Sequence, residues 1–147
     1  MVQGEARTVA RGRWGAVITV LALGGLAIAS YLLAVRLLGE SPACGPVRGC
    51  DTVAASEYAT VLGLPVALFG VGFSLLLSSA AAVWWRREDR RALYATYGLG
   101  LLGIVAVAYL TYLEIFVIEA ICIWCVSYAV TIVTGWILAI LALRSPD

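Results

Sequence analysis

The sequence predicts an all-α integral membrane protein: a four-transmembrane-helix bundle with a cysteine-containing outer loop and a short surface helix. Of its 147 residues 63% are hydrophobic and only 13% charged, whereas soluble domains hold about 25% charged residues. A span needs roughly 20 consecutive, mainly apolar residues. Four stretches qualify, about Trp14 to Leu38, Val61 to Trp85, Leu93 to Phe116 and Ala120 to Leu143. They consume nearly the whole chain, so residues 1–147 read as a single membrane domain with no room for a soluble catalytic unit.

The first span begins like a secretory signal, because Arg7, Arg11 and Arg13 precede an apolar run containing Ala27-Ile28-Ala29-Ser30. That run continues through Leu38, which is too long for the apolar core of a signal peptide. Orientation follows from the arginines, since basic residues stay on the cytoplasmic side of short loops. Arg7, Arg11 and Arg13, then Arg86, Arg87, Arg90 and Arg91, then Arg144 all fall on one side. Glu40, Asp51, Glu57 and Glu119 fall on the other, with only Arg36 and Arg48 as basic company. A multi-pass protein with both termini cytoplasmic is expected. The net charge of +1 gives no support to nucleic-acid binding.

Between spans one and two, residues 39–60 form the outer loop, broken by Gly39, Pro42, Gly45, Pro46 and Gly49. Asp51 or Thr52 can cap a short helix through about Tyr58, with Val53 and Tyr58 placed to lie against the membrane surface. Pro65 is expected in the first turn of span two, where a missing N–H costs least. Gly24, Gly25 and Ala29, Gly70 and Ser74, and Gly100 and Gly103 provide small surfaces for helix contact. The Arg86–Arg91 charge run is read as a determinant of topology.

All four cysteines map to the outer layer: Cys44 and Cys50 in the loop, Cys122 and Cys125 at the start of span four. Static disulfides, or thiols packed among the helices, are one reading, since free cysteine packs well. The Cys122-Ile123-Trp124-Cys125 spacing is a redox signature instead. At a helix start the first sulfur lies near unsatisfied N–H groups, which favours the Cys122 thiolate. Cys125 lies almost one turn deeper, nearer to a membrane-dissolved oxidant. Cys44 and Cys50 bracket Gly45-Pro46-Val47-Arg48-Gly49, short enough to close a disulfide and pliable enough to swing, and exchange needs such access to a sulfur. Zinc is the competing use, but an oxidising compartment and the absence of His argue against it. No metal is expected.

The order of these features resembles the vitamin K epoxide reductase family over about residues 14–143. The residues that carry the likeness are Cys44, Cys50 and Ser56, the string Leu62-Gly63-Leu64-Pro65, and Cys122-Ile123-Trp124-Cys125 preceded by Tyr109-Leu110. DsbB, another four-helix disulfide-generating family, places its C-x-x-C in the first outer loop, whereas here it comes last. The resemblance implies that Cys44 exchanges with a protein partner, Cys50 relays to Cys122, and Cys125 meets a quinone. It further implies a bacterial inner (plasma) membrane and, since many bacterial members carry a fused thioredoxin-like domain, a separate thioredoxin-like or DsbA-like partner on the outer side. Vertebrate members have an Asn where this chain offers Ala59. They also have a Tyr four residues after the last Cys, where it has Ala129 beside Tyr128. These departures shift the expectation from vitamin K epoxide toward a quinone, ubiquinone or menaquinone, as electron acceptor.

Ser56, Tyr58, Leu110, Cys125 and Tyr128 are the residues expected to contact that quinone. Ser56 can donate to a quinone oxygen or bond its own backbone. Trp124, Tyr109, Tyr112 and Tyr128 can surround the ring or anchor helices at headgroup level. Glu114 and Glu119 can pass the protons that accompany a two-electron reduction, but near the outer interface they are read as hydrated carboxylates. The function expected is thiol-disulfide exchange through the four cysteines to a quinone, promoting disulfide formation in the partner. The alternatives are a quinone or vitamin K epoxide reductase whose main output is quinol, and a non-enzymatic scaffold stapled by disulfides.

Overall fold

The computed structural model describes residues 2–44 and 49–145, with backbone alone at 2–4 and 6–11. Its helices are α1 (Val2–Leu37), α2 (Gly49–Ala55), α3 (Val66–Arg87), α4 (Arg90–Tyr112) and α5 (Ile123–Arg144). Gly12–Leu37, Val66–Arg87, Arg90–Ile118 and Ile123–Arg144 are long and apolar enough to cross a membrane. α1 packs against α3 and α5, and α4 closes the ring by packing against the same two helices. Residues 45–48, with Arg48, and the side chains of Arg7 and Arg11 lie outside the described residues.

Size and polarity sort in the sense opposite to a soluble bundle. Val20, Leu76, Leu102 and Val105 are each at least 60% exposed, while Ala81 and Ala139 are wholly buried and Ser74 and Thr96 nearly so. Large apolar groups facing outward suit a lipid solvent, and small inner groups let backbones approach. Inner hydroxyls bond their own helices, Thr19 to the Gly15 carbonyl at 2.8 Å and Thr96 to that of Ala92 at 2.8 Å. Gly100 lies under Trp136, and Gly103 sits against Phe73 and Ile132. Gly25 lies beside Tyr128 and Thr131, and Gly70 against Ala29. Gly24, expected among these small contacts, has open space beside it instead, because its neighbour Gly25 takes the inward position.

At the end opposite the cysteines, α3 stops at Glu88, which adopts left-handed backbone with φ 53°. Asp89 caps α4 by accepting the Arg91 N–H at 2.9 Å. The charge run therefore divides between two helix ends, Arg86 and Arg87 closing α3 and Arg90 and Arg91 opening α4. Arginines in a first helical turn oppose the helix dipole.

The cysteine end departs from expectation at three helix starts. α2 begins at Gly49, so Asp51 lies inside its first turn rather than capping it, and a separate 3₁₀ turn covers Glu57–Ala59. Thr60–Val61 and Leu64–Pro65 pair as a small antiparallel hairpin, β1 and β2. Its two turn residues, Leu62 and Gly63, have φ 54° and 81°, the double left-handed geometry that matches hairpin twist. Span two thus starts at Val66, and Pro65 precedes the helix as its cap residue rather than lying in the first turn. α5 begins at Ile123, with Cys122 as its cap residue.

Candidate redox site

The loop pair is closed as a Cys44–Cys50 disulfide with Cα atoms 6.2 Å apart. Its two sulfurs are unequally placed. Cys44 is half-buried, whereas Cys50, the second residue of α2, is only 1% exposed. The start of α2 presses on the segment before the C-x-x-C, because a Cβ on Gly49 would run into the Ile121 carbonyl. Only glycine allows that backbone approach, which brings the start of α2, and with it the loop disulfide, against the segment that leads into the C-x-x-C.

The other side of the disulfide is held through Ala43. Its N–H donates to the Tyr31 hydroxyl at 3.0 Å, and its carbonyl accepts from Trp124 Nε1 at 2.9 Å. The Tyr31 and Trp124 rings lie against each other with centroids 4.7 Å apart. Trp124 lies between the two inner cysteines, so the C-x-x-C grips the strand that ends in Cys44. Arg36 ties down the far end of the loop, donating to the Ala54 carbonyl at 2.7 Å and to Thr60 Oγ1 at 3.3 Å. Neither the Ala43 clamp nor the Arg36 tie was foreseen from sequence. Both depend on backbone carbonyls, which every residue offers.

Cys122 and Cys125 are free thiols, Cys122 only 2% exposed. The Cys122 thiol is lowered from 9.0 to about 7, chiefly by a hydrogen bond from the Cys125 side chain. The N–H groups of Cys125 and Trp124 add to the effect, while burial and the negative Glu114 oppose it. Sequence reasoning located the helix-end contribution. The larger one comes from the partner thiol, which the same spacing supplies.

Glu114 corrects the expectation of a hydrated carboxylate, being only 5% exposed. A π-helical turn, Leu113–Ile118, follows α4 and ends at Glu119 with φ 57°. π turns inside α-helical segments frequently occur at functional sites. Here the turn faces Glu114 toward α5, where Glu114 Oε2 accepts the Cys122 N–H at 3.2 Å and bonds the Cys125 thiol. A lone carboxylate in the apolar string Leu113 to Ile118 was the signal available in the sequence.

The residues expected around a quinone are distributed over several elements. Ser56 Oγ donates to the Val53 carbonyl at 2.7 Å, so its proton is used within its own turn. Tyr58 is exposed in the 3₁₀ turn, and Leu110 is half-buried near the end of α4. The Tyr128 hydroxyl lies inside the bundle, 3.0 Å from Ser74 Oγ, and donates to the Gly70 carbonyl at 3.4 Å. Among the described residues no hydrogen bond or ring contact joins Ser56, Tyr58, Leu110 or Tyr128 to Cys125. Nor do three or more His, Cys, Asp or Glu side chains among them gather as metal ligands.

A model of the vitamin K epoxide reductase family matches residues 16–140. The chain belongs to this family. No curated protein sequence matches it. Family membership, the loop disulfide and four membrane-length helices together support a redox function in a membrane. The vitamin K epoxide reductase match runs from α1 into α5 and contains all four cysteines.

Proposed function

We propose that this protein is a thiol-disulfide oxidoreductase of a bacterial plasma membrane, with both termini cytoplasmic. It passes electrons from a thioredoxin-like or DsbA-like partner on the outer side to a quinone, leaving the partner with a disulfide. The observation that carries this reading is an oxidised loop pair seated against a reduced C-x-x-C whose first sulfur favours the thiolate. Static stapling would leave no reason to keep two thiols beside a disulfide.

The unequal exposure of Cys44 and Cys50 suggests the order of events. A partner thiolate attacks the more accessible Cys44, and a second partner thiol resolves the mixed disulfide, which leaves Cys44 and Cys50 reduced. Cys50 then attacks Cys122 of an oxidised inner pair, and Cys44 regenerates the loop disulfide by attacking Cys50. The inner pair is now reduced, the arrangement seen here. Cys125, within the first turn of α5, passes the electron pair to the quinone as Cys122 closes the disulfide on it.

The test uses the full chain in lipid discs with a reduced thioredoxin-like protein and a short-chain ubiquinone analogue. Each Cys→Ala variant is expected to abolish coupled turnover. Undiminished quinone reduction by Cys125→Ala would remove that sulfur as the terminal donor.

A further inference from the structure

Glu114 has no part in the electron path, yet its buried carboxylate touches both ends of the C-x-x-C. We propose that Glu114 is the general base of the quinone-reducing half-reaction, taking the proton of the Cys125 thiol as that sulfur gives up its electrons. This inference rests on the quinone reading above.

Geometry and electrostatics both support it. The π turn departs from α-helical spacing at the one place where a carboxylate meets the reactive pair, and it holds Glu114 Oε2 3.2 Å from the Cys122 N–H. The same side chain bonds the Cys125 thiol. Glu119, at the end of the turn, is exposed and serves as an internal contrast. The titratable groups facing Glu114 are Cys122 and Cys125 of α5. On α2, the other element packed against the turn, Cys50 is bridged and Asp51 is exposed.

The chemistry needs such a base. The reduced pair stands with Cys122 as thiolate and Cys125 as thiol, its one proton shared between the Cys122 sulfur and the Glu114 carboxylate. Closing the disulfide forms the Cys122 Sγ to Cys125 Sγ bond, breaks the Cys125 S–H bond and releases two electrons to the quinone. Glu114 accepts the Cys125 proton and surrenders it to the quinol, which takes its second proton from water. One thiolate, one thiol, one quinone and one external proton thus become one disulfide and one quinol, with Glu114 restored as carboxylate. General-base contacts of this reach contribute about 10²- to 10⁴-fold to rate.

Glu114→Gln tests the proposal, because its amide oxygen can still accept the Cys122 N–H while the base is lost. In the full chain in lipid discs, with dithiothreitol as reductant and a short-chain ubiquinone analogue, turnover at neutral pH should fall about 10²-fold. The residual rate should carry a larger solvent isotope effect than the wild type, because the Cys125 proton then leaves without a base to receive it. A wild-type rate at neutral pH, or a deficit with an unchanged isotope effect, would overturn the inference, the latter because a bracing role alone predicts it. Should the variant not fold, time-resolved infrared difference spectra of the wild type decide. A protonated-carboxyl band must appear transiently when quinone meets the reduced protein, and its absence overturns the role. If the wild type reduces no quinone at all, the quinone reading itself fails, a result distinct from any of these.

Discussion

Replacing Cys125 with alanine removes the donor that does most to hold the Cys122 sulfur as a thiolate, whereas serine supplies another donor at the same place. Either substitution leaves Cys122 as the sole free thiol beside the Cys44–Cys50 disulfide. With its thiol at about 7 rather than 9.0, Cys122 is about half thiolate at pH 7, against roughly 1% for the unassisted thiol. Thiolate abundance therefore falls about fifty-fold in Cys125→Ala if the thiol returns to 9.0. Intrinsic nucleophilicity runs the other way, rising about eight-fold over two units at a Brønsted slope of 0.4–0.5. The net expectation is a rate about six-fold lower at pH 7, a crossing near pH 8, and a faster alanine variant above pH 9. The assay is exchange with a small neutral disulfide such as 2,2′-dipyridyl disulfide, followed by release of the coloured thione between pH 5.5 and 10. Cys125→Ser should keep its midpoint near 7. Identical midpoints in the two variants would refute the assignment of the hydrogen bond. An alanine variant slower at every pH would show that access, not ionisation, controls the rate.

Other substitutions probe how the site is held. Gly49→Ala forces a methyl group into the Ile121 carbonyl and should slow Cys50-to-Cys122 exchange at least ten-fold. The readout is the rate at which diamide, added as the two-electron thiol oxidant, closes a Cys50–Cys122 disulfide in a Cys44→Ala, Cys125→Ala background, and unchanged kinetics there would contradict the close approach. Trp124→Phe retains a ring against Tyr31 but loses the bond to the Ala43 carbonyl, a loss of about 1 kcal/mol. Proteolysis of the loop should then accelerate roughly five-fold, and unchanged cleavage would count against the clamp. In the membrane core, Gly103→Val meets Phe73 at 2.8 Å and Ile132 at 2.9 Å. Overpacking of this kind costs about 1–3 kcal/mol, so the melting temperature in detergent should drop. No change in melting would mean that α4 has room to shift.

How much could be read beforehand varied with the physics involved. Four membrane-length helices were legible because hydropathy sums over some twenty residues, and local errors cancel. Helix starts were not: Thr60 to Pro65 is apolar enough to extend span two, and hydropathy does not distinguish a hairpin from a first helical turn. The cysteines were legible from spacing, as was the helix-end effect on Cys122. Glu114 was read as hydrated rather than buried because its partners follow a chain reversal through Glu119, and the π turn that faces it toward Cys122 leaves no periodic trace in six residues. The resemblance singled out Ser56, whose hydroxyl proton is held by a carbonyl three residues back, the backbone alternative already open in the sequence.

The hydroxyls of Thr19 and Thr96 are spent inside their own helices, so they do nothing to stop one rod from sliding along another. Tyr128 behaves differently: its phenol crosses from α5 to Ser74 and Gly70 on α3. That crossing lies three residues beyond Cys125, close to one helical pitch away. It acts as a dowel, fixing the axial height of the inner sulfur against the neighbouring helix. In the proposed reaction, the level at which electrons would leave the chain is thereby set by a bond that carries none of them.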